Sequence, residues 1–249
     1  MKYIHFIIAF TIFTIEALLT YIFCFFPAMI LRLFGAKEKS TKLLCWFANI
    51  LAKSALFLLN VKVHVLGSDN LPESYHNVAL VSNHQSFLDI VAYYAVFNIS
   101  PVPIAKKEVM KMPFVRHFAS GLDSILLDRK SPKSSIKAIH EATDRLKNGG
   151  LCIIFPEGTR SKTQQMGDLK AGSYKMALRA GSTLVPLVIN GGRYAFEDKK
   201  GWHRYHVYIQ VLKPHEVKNL DKEEKKELAA MVSQQIRDAY TRLPAIKIR

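Results

Sequence analysis

Val78-Ala79-Leu80-Val81-Ser82-Asn83-His84-Gln85-Ser86-Phe87-Leu88-Asp89 passes from an apolar run through a short polar patch into a second apolar pattern. The apolar start predicts a buried strand over 78–82, and the amphipathic stretch behind it predicts a helix over 86–98. A strand that turns directly into a helix is the repeating unit of α/β domains. In a continuous helix, residues five apart lie about 140° from one another. The His84 ring therefore meets Asp89 only because the turn takes His84 off the helical path. Asp89 then accepts a hydrogen bond from one imidazole nitrogen and fixes the tautomer, while the other nitrogen takes the proton of an attacking hydroxyl. Ser86 and Asp89 also fit a helix cap, in which His84 would be an ordinary turn residue.

Working outward, apolar runs continue to alternate with amphipathic stretches. Strands are expected over 61–66, 102–105, 124–128, 151–155, 183–189 and 205–212, and helices over 112–119, 132–147, 173–180 and 222–243. The last helix opens at Asp221 with Glu224 three residues on, a capping box, and presents Leu228, Met231, Val232, Ile236 and Tyr240 on one side. The expected fold is a single α/β domain with a mixed central sheet over 61–249, preceded by an N-terminal membrane-associated two-helix segment over 1–60.

After the run Leu151–Phe155 comes Phe155-Pro156-Glu157-Gly158-Thr159-Arg160-Ser161, a glycine turn bearing an acid, hydroxyls and a guanidinium. Such a turn suits a phosphate or a polyol. Arg160 offers a bidentate fork for a phosphate, and Glu157 either binds glycerol oxygens or orients that arginine. Gly158 and Thr159 belong to the same turn. Lys106 and Arg129 end predicted strands, the edge at which open α/β sheets bind ligands. A base–carboxylate pair beside a cationic turn reads as acyl transfer to an alcohol on an anionic substrate. The oxyanion of such a reaction needs donors, and the backbone N–H groups from His84 to Ser86 are candidates. A serine acyl-enzyme at Ser86 is a costlier alternative.

These residues resemble the glycerophospholipid acyltransferase family, and within it the 1-acyl-sn-glycerol-3-phosphate (lysophosphatidate) acyltransferases. Its four blocks occur in order: Asn83 to Asp89, Ile125 to Arg129, Phe155 to Ser161, and Leu184-Val185-Pro186-Leu187-Val188-Ile189. Leu169-Lys170-Ala171-Gly172 is similar to the family's Lys-x-Gly element, which adds Lys170 to the candidate binding residues. The resemblance covers about residues 60 to 215. At one position where the family often has Gly, this chain has Asp123. The resemblance implies transfer of an acyl group from a thioester of coenzyme A or acyl carrier protein to the sn-2 hydroxyl of lysophosphatidate, giving phosphatidate. It implies no metal and no cofactor beyond that co-substrate. Acylation of glycerol 3-phosphate or another lysophospholipid is the nearest alternative. A non-catalytic protein that binds anionic lipid is the alternative from another class, which would have no use for a His–Asp pair.

Composition narrows the partners. The net charge of +15 favours anionic lipid surfaces, phosphorylated substrates or acidic proteins. Nucleic acid is not expected, since the basic residues are scattered through an α/β pattern rather than gathered in a binding module. Three cysteines without ligand spacing point to inert buried thiols. There is no Gly-x-Ser-x-Gly elbow, Walker loop, His-Glu-x-x-His site or Gly-x-Gly-x-x-Gly fingerprint.

Residues 3–31 are almost wholly apolar, with Glu16 as their one charge. As a straight helix they would extend about 44 Å, beyond the about 30 Å of bilayer hydrocarbon, and Pro27 is expected to bend or end them. Arg32, Lys37, Lys39 and Lys42 place the following side in the cytoplasm. In the next segment, Thr41 to Asn60, a single helical stripe of Lys42, Asn49, Lys53 and Asn60 is expected to face water or headgroups, with Glu16 pairing to Lys53. A hairpin embedded in one leaflet is favoured over a spanning helix. The expected location is the inner or cytoplasmic membrane, with the catalytic domain on the cytoplasmic side.

Overall fold

All seven predicted strands form within a residue or so of their expected ends, and an eighth, unpredicted one joins them. The computed structural model describes residues 2–97, 101–128, 130–161, 163 and 165–244, without the side chains of residues 2, 3 and 6. The strands are β1 (Val61–Leu66), β2 (Val78–Ser82), β3 (Val102–Lys106), β4 (Ile125–Leu127), β5 (Leu151–Ile154), β6 (Thr183–Asn190), β7 (Tyr205–Val211) and the two-residue β8 (His215–Glu216). They form one mixed sheet in the order β1-β7-β6-β2-β5-β3-β4, with β8 on β6. Only the pairings of β6 with β7 and with β8 are antiparallel. Pro186 sits mid-strand without harm because β6 pairs with β8 at 183–184 and with β7 from 187 onward, so its missing N–H falls at the changeover.

The helices are α1 (Lys2–Thr20), α2 (Phe26–Leu33), α3 (Lys37–Leu58), α4 (Leu88–Val96), α5 (Pro113–Gly121), α6 (Pro132–Lys147), α7 (Lys175–Ala180), the short α8 (Gly192–Ala195) and α9 (Lys222–Arg242). Every residue of β2 is buried, and its side chains alternate between two cores. Val78 and Leu80 join Leu44, Ala52 and Leu56 of α3 and Leu88 and Tyr93 of α4. Ala79 and Val81 join Leu146 of α6, Met176 of α7, and Val232 and Ile236 of α9. The predicted boundary at residue 60 thus separates elements but not cores, since α3 covers one face of the sheet. On α9, the predicted core stripe holds for Leu228, Val232 and Ile236, whereas Met231 is exposed.

The sheet places the site. β2 and β5 lie side by side and parallel, in register from Val78↔Leu151 to Val81↔Ile154, so their C-terminal extensions leave the same edge together. Ser161 N–H donates to the His84 carbonyl at 2.8 Å and ties the two extensions.

The N-terminal segment departs from expectation in three respects. Pro27 does not end the helical run: a π-helical turn over Tyr21–Phe25 joins α1 to α2 immediately before it. Glu16 meets Ser54 rather than Lys53, the Ser54 hydroxyl donating to Oε1 at 2.5 Å. The polar stripe of α3 does not face one environment either. Asn49 turns inward and donates to the Tyr94 carbonyl at 2.7 Å, while Trp46, Ile50 and Phe57 are exposed beside Lys53.

Asp123 explains its own departure from the family pattern. Its φ of 51° lies in the left-handed region, where Gly is the easiest occupant and Asp one of the few tolerated others. In exchange its carboxylate takes ion pairs from Lys37 at 2.8 Å and Arg32 at 3.3 Å, while Arg32 also donates to the Gly121 carbonyl. Burial pushes the Asp123 carboxyl up, but the Lys37 and Arg32 cations outweigh it and hold the group below its ordinary value. Asp123 therefore clasps the helical hairpin to the domain. Asp123→Gly is expected to cost less stability than Asp123→Ala by about 1 kcal/mol, since only alanine adds backbone strain to the lost ion pairs. Chemical denaturation of the detergent-solubilised protein checks this ranking. The carboxyl is depressed in the folded state, so its contribution is present above the ordinary carboxylate range and lost as pH falls through the lowered value. Asp123→Gly should flatten that acid limb.

Candidate active site

The turn after β2 puts His84 where the sequence expected it. His84 Nδ1 lies 2.9 Å from Asp89 Oδ2. An ionised carboxylate only accepts, so Nδ1 carries the proton and Nε2 keeps its lone pair. The imidazole packs on the Phe155 ring with centroids 4.2 Å apart, which fixes its plane. Asp89 is fully buried, and its Oδ2 also accepts the N–H groups of Gln85 at 2.6 Å and Ser86 at 2.8 Å. The helix cap and the His–Asp pair are therefore not alternatives, because one carboxylate does both.

These bonds correct the expected oxyanion donors. The N–H groups of Gln85 and Ser86 are committed to Asp89, and that of His84 donates to Glu157 Oε1 at 2.7 Å. Ser86 is not poised as a nucleophile either: its hydroxyl donates to Glu197 Oε2 at 2.6 Å and accepts from Leu88 N–H.

Glu157 also differs from expectation. It is buried, does not meet Arg160, and its second oxygen accepts from the Ser161 hydroxyl at 2.6 Å and from Gly167 N–H at 2.8 Å. With protein donors on both oxygens, it braces the His84 turn against the Phe155–Ser161 turn. It is not placed to bind a glycerol.

Arg160 is half exposed and pairs with Glu197 Oε1 at 3.0 Å. Gly158, at φ 68°, takes the left-handed turn that the sequence required, and Thr159 is exposed beside it. The Lys170 ammonium lies over Gly158, 3.5 Å from where a β-carbon would stand, which brings the Lys-x-Gly element to the same turn. Lys106 ends β3 as expected and pairs with Glu108 at 3.1 Å. Its neighbour Lys107 pairs with Asp128. Arg129 lies outside the described residues. Burial pushes the Cys152 thiol up to about 12, which keeps it inert.

Sequence reasoning missed three contributors. Glu197 reaches the start of α4 from the turn after α8. Gln85 is held at both ends, its amide donating to the Tyr240 hydroxyl and accepting from Gly191 N–H at 3.3 Å. Gly192 presses directly on Asp89: a β-carbon there would lie 2.4 Å from Asp89 Oδ1 and 3.1 Å from Ser86 Cβ. The only local signal was the Gly191-Gly192 pair after the fourth block. Asn83 is a strand terminator, exchanging two 2.8 Å bonds with the backbone of Ile189.

Known proteins share this arrangement of elements. The acyltransferase family model matches residues 62–190. The 1-acyl-sn-glycerol-3-phosphate acyltransferase of Borreliella burgdorferi is 30% identical over 197 residues, 79% of this chain and 77% of that protein. The enzyme of that name from Escherichia coli is 28% identical over 162 residues, and the match spans 64% of each protein, a little under two thirds. The crystal structure of the 1-acyl-sn-glycerophosphate (LPA) acyltransferase PlsC from Thermotoga maritima superposes with a TM-score of 0.75 at 26% identity. It covers 98% of this chain and 100% of that one.

Proposed function

The chain belongs to the acyltransferase family, and on that premise we propose that it acylates the sn-2 hydroxyl of lysophosphatidate, forming phosphatidate. The observation that carries this reading is the His84 imidazole, held by Asp89 with Nε2 left as a base. In the reaction the acceptor hydroxyl gives its proton to Nε2 as its oxygen attacks the thioester carbonyl. The tetrahedral intermediate collapses, the C–S bond breaks, and the departing thiolate takes the proton back from His84. Asp89 stabilises the imidazolium between those two steps. Either coenzyme A or acyl carrier protein serves as the thiol carrier. The thioester brings its own activation, so the chemistry calls for no metal or redox group. The oxyanion draws its donors from outside the 84–86 turn.

The phosphate is assigned to the exposed cation of the Phe155–Ser161 turn, Arg160, with Lys170 over the same turn and Lys106 and Arg129 as further cations of the pocket. Delivery of a lipid acceptor fits the N-terminal helices. From Ile4 to Phe34 their outer side exposes large apolar residues, among them Phe10, Leu18, Phe23, Phe26 and Leu33. Their inner side follows the domain: His5 stacks on Trp202, while Tyr21 and Phe25 pack on His117 and on Phe114 of α5. A hairpin applied along the domain in this way lies in one leaflet, with the domain at the cytoplasmic surface.

Purified protein in detergent, given an acyl thioester, should form phosphatidate from lysophosphatidate and strongly prefer it over a monoacylglycerol of equal chain length. A charge-assisted bond contributes on the order of 1.5–3 kcal/mol, so Arg160→Ala should cost about tenfold to a hundredfold in kcat/KM for lysophosphatidate and narrow that preference. Arg160→Lys should restore it in part. Equal losses on both acceptors would make Arg160 structural and move the phosphate elsewhere; absence of turnover would leave only a lipid-binding protein.

A further inference from the structure

Glu197 is a charged group at the site that the reaction does not use. Its carboxylate collects three donors: the Ser86 hydroxyl at 2.6 Å on Oε2, and on Oε1 both the Phe87 N–H and the Arg160 guanidinium at 3.0 Å. A guanidinium, a hydroxyl and a free backbone N–H entering a helix are the groups that hold phosphate oxygens. They converge beside His84, two and three residues from it in the chain. The occupant is also exchangeable. Glu197 is 22% exposed and Arg160 51%, so the pair can part into solvent without unpacking the core. Glu157, the other carboxylate nearby, is buried under three protein donors and has no such freedom.

We propose that Glu197 is a built-in competitor for the acceptor's phosphate. Its carboxylate fills the cradle of Ser86, Phe87 and Arg160 in the empty enzyme and gives way when the phosphate enters. The inference rests on the assignment of the phosphate to Arg160 and deepens it. Chemistry gives such a competitor a purpose. Substrate and product carry the same phosphate, so an uncontested cradle would hold the product as firmly as the substrate. A carboxylate that returns to Arg160 lowers the affinity for both and lets the product leave. A phosphate monoester, with a charge of about −1.5 to −2 and three terminal oxygens, still outcompetes a carboxylate of charge −1. An uncharged acceptor has no phosphate to place there and does not need the carboxylate to move.

The test compares wild type, Glu197→Gln, Arg160→Ala and the double variant in detergent. It measures KM for lysophosphatidate, the inhibition constant of inorganic phosphate, and KM for monoacylglycerol as the reference. If the closed pair outnumbers the open state about twofold to ninefold, removing the charge should lower the first two constants about three- to tenfold relative to the reference. That gain should vanish in the Arg160→Ala background, because both effects act through one guanidinium. Glutamine keeps the side-chain shape and one acceptor oxygen while removing the charge. Glu197→Ala, which removes the occupant altogether, should shift both constants in the same direction. An unchanged or raised KM for lysophosphatidate in both Glu197 variants would overturn the proposal and make Glu197 a prop for Arg160. Failure of the underlying phosphate assignment looks different: Arg160→Ala would then depress both acceptors alike.

Discussion

His84→Ala is expected to lower kcat by about 10²–10⁴, the usual worth of a positioned general base, and to leave the protein folded. The second half of that expectation comes from the bonding of the turn. His84 contributes its backbone to two anchoring bonds, the N–H to Glu157 and the carbonyl to the N–H of Ser161. Neither of them involves the ring, which makes one hydrogen bond, to Asp89, and stacks on Phe155. Truncation should therefore remove the base and leave the frame. Initial rates on lysophosphatidate, read with the thermal transition of the purified variant, separate the two effects. Asp89→Asn should lose less. An amide oxygen can still accept from Nδ1, Gln85 and Ser86, so the tautomer survives and only the charge facing the imidazolium is gone. If His84→Ala kept more than about a tenth of wild-type turnover, a base of that strength could not be at work.

Much of this architecture could be read from the chain, and what escaped has a physical reason. Strand periodicity and helix caps are local, so β1, β2 and α6 match their expected bounds and Asp221 forms its predicted capping box. The His84–Asp89 contact spans five residues and was legible for the same reason. Glu157 carried a local signal too, an acid in a glycine turn, but its role was decided by His84 N–H, which arrives from 73 residues away through the β2–β5 pairing. Glu197 stands 111 residues from the hydroxyl it receives, in a turn with no pattern to mark it. The stripe on α3 failed in another way. A helical wheel shows which polar residues share a face, but not that Asn49 would find the Tyr94 carbonyl there. Asp123 is the reverse case, where an apparent exception kept the backbone conformation of Gly and gained ion pairs.

Gly192→Ala should lower kcat by about 10–10², the scale on which a displacement near 1 Å disturbs a reacting geometry, although Gly192 touches no reacting atom. Its own backbone conformation suits alanine, as its φ lies outside the left-handed region. What forbids a side chain is Asp89, whose Oδ1 would stand 2.4 Å from the new carbon. Neither side can yield cheaply. Asp89 is buried and held through Oδ2 by three donors, so moving Oδ1 turns the whole carboxylate away from Nδ1. α8 is pinned in turn: Gly191 N–H donates to Gln85, Ala195 is fully buried, and Arg193 bridges Asp198 and the Ser161 carbonyl. The strain therefore reaches the base. A ranking follows that residue chemistry alone would not give: adding one methyl group at Gly192 should cost more than neutralising the carboxylate in Asp89→Asn. In an Asp89→Ala background the extra methyl group should cost almost nothing, because the atom it collides with is gone. That loss of additivity distinguishes displacement of Asp89 from a general loosening of α8, which would cost the same in either background. A Gly192→Ala enzyme within twofold of wild type would mean that α8 moves aside freely and that Asp89 is held by its own hydrogen bonds alone.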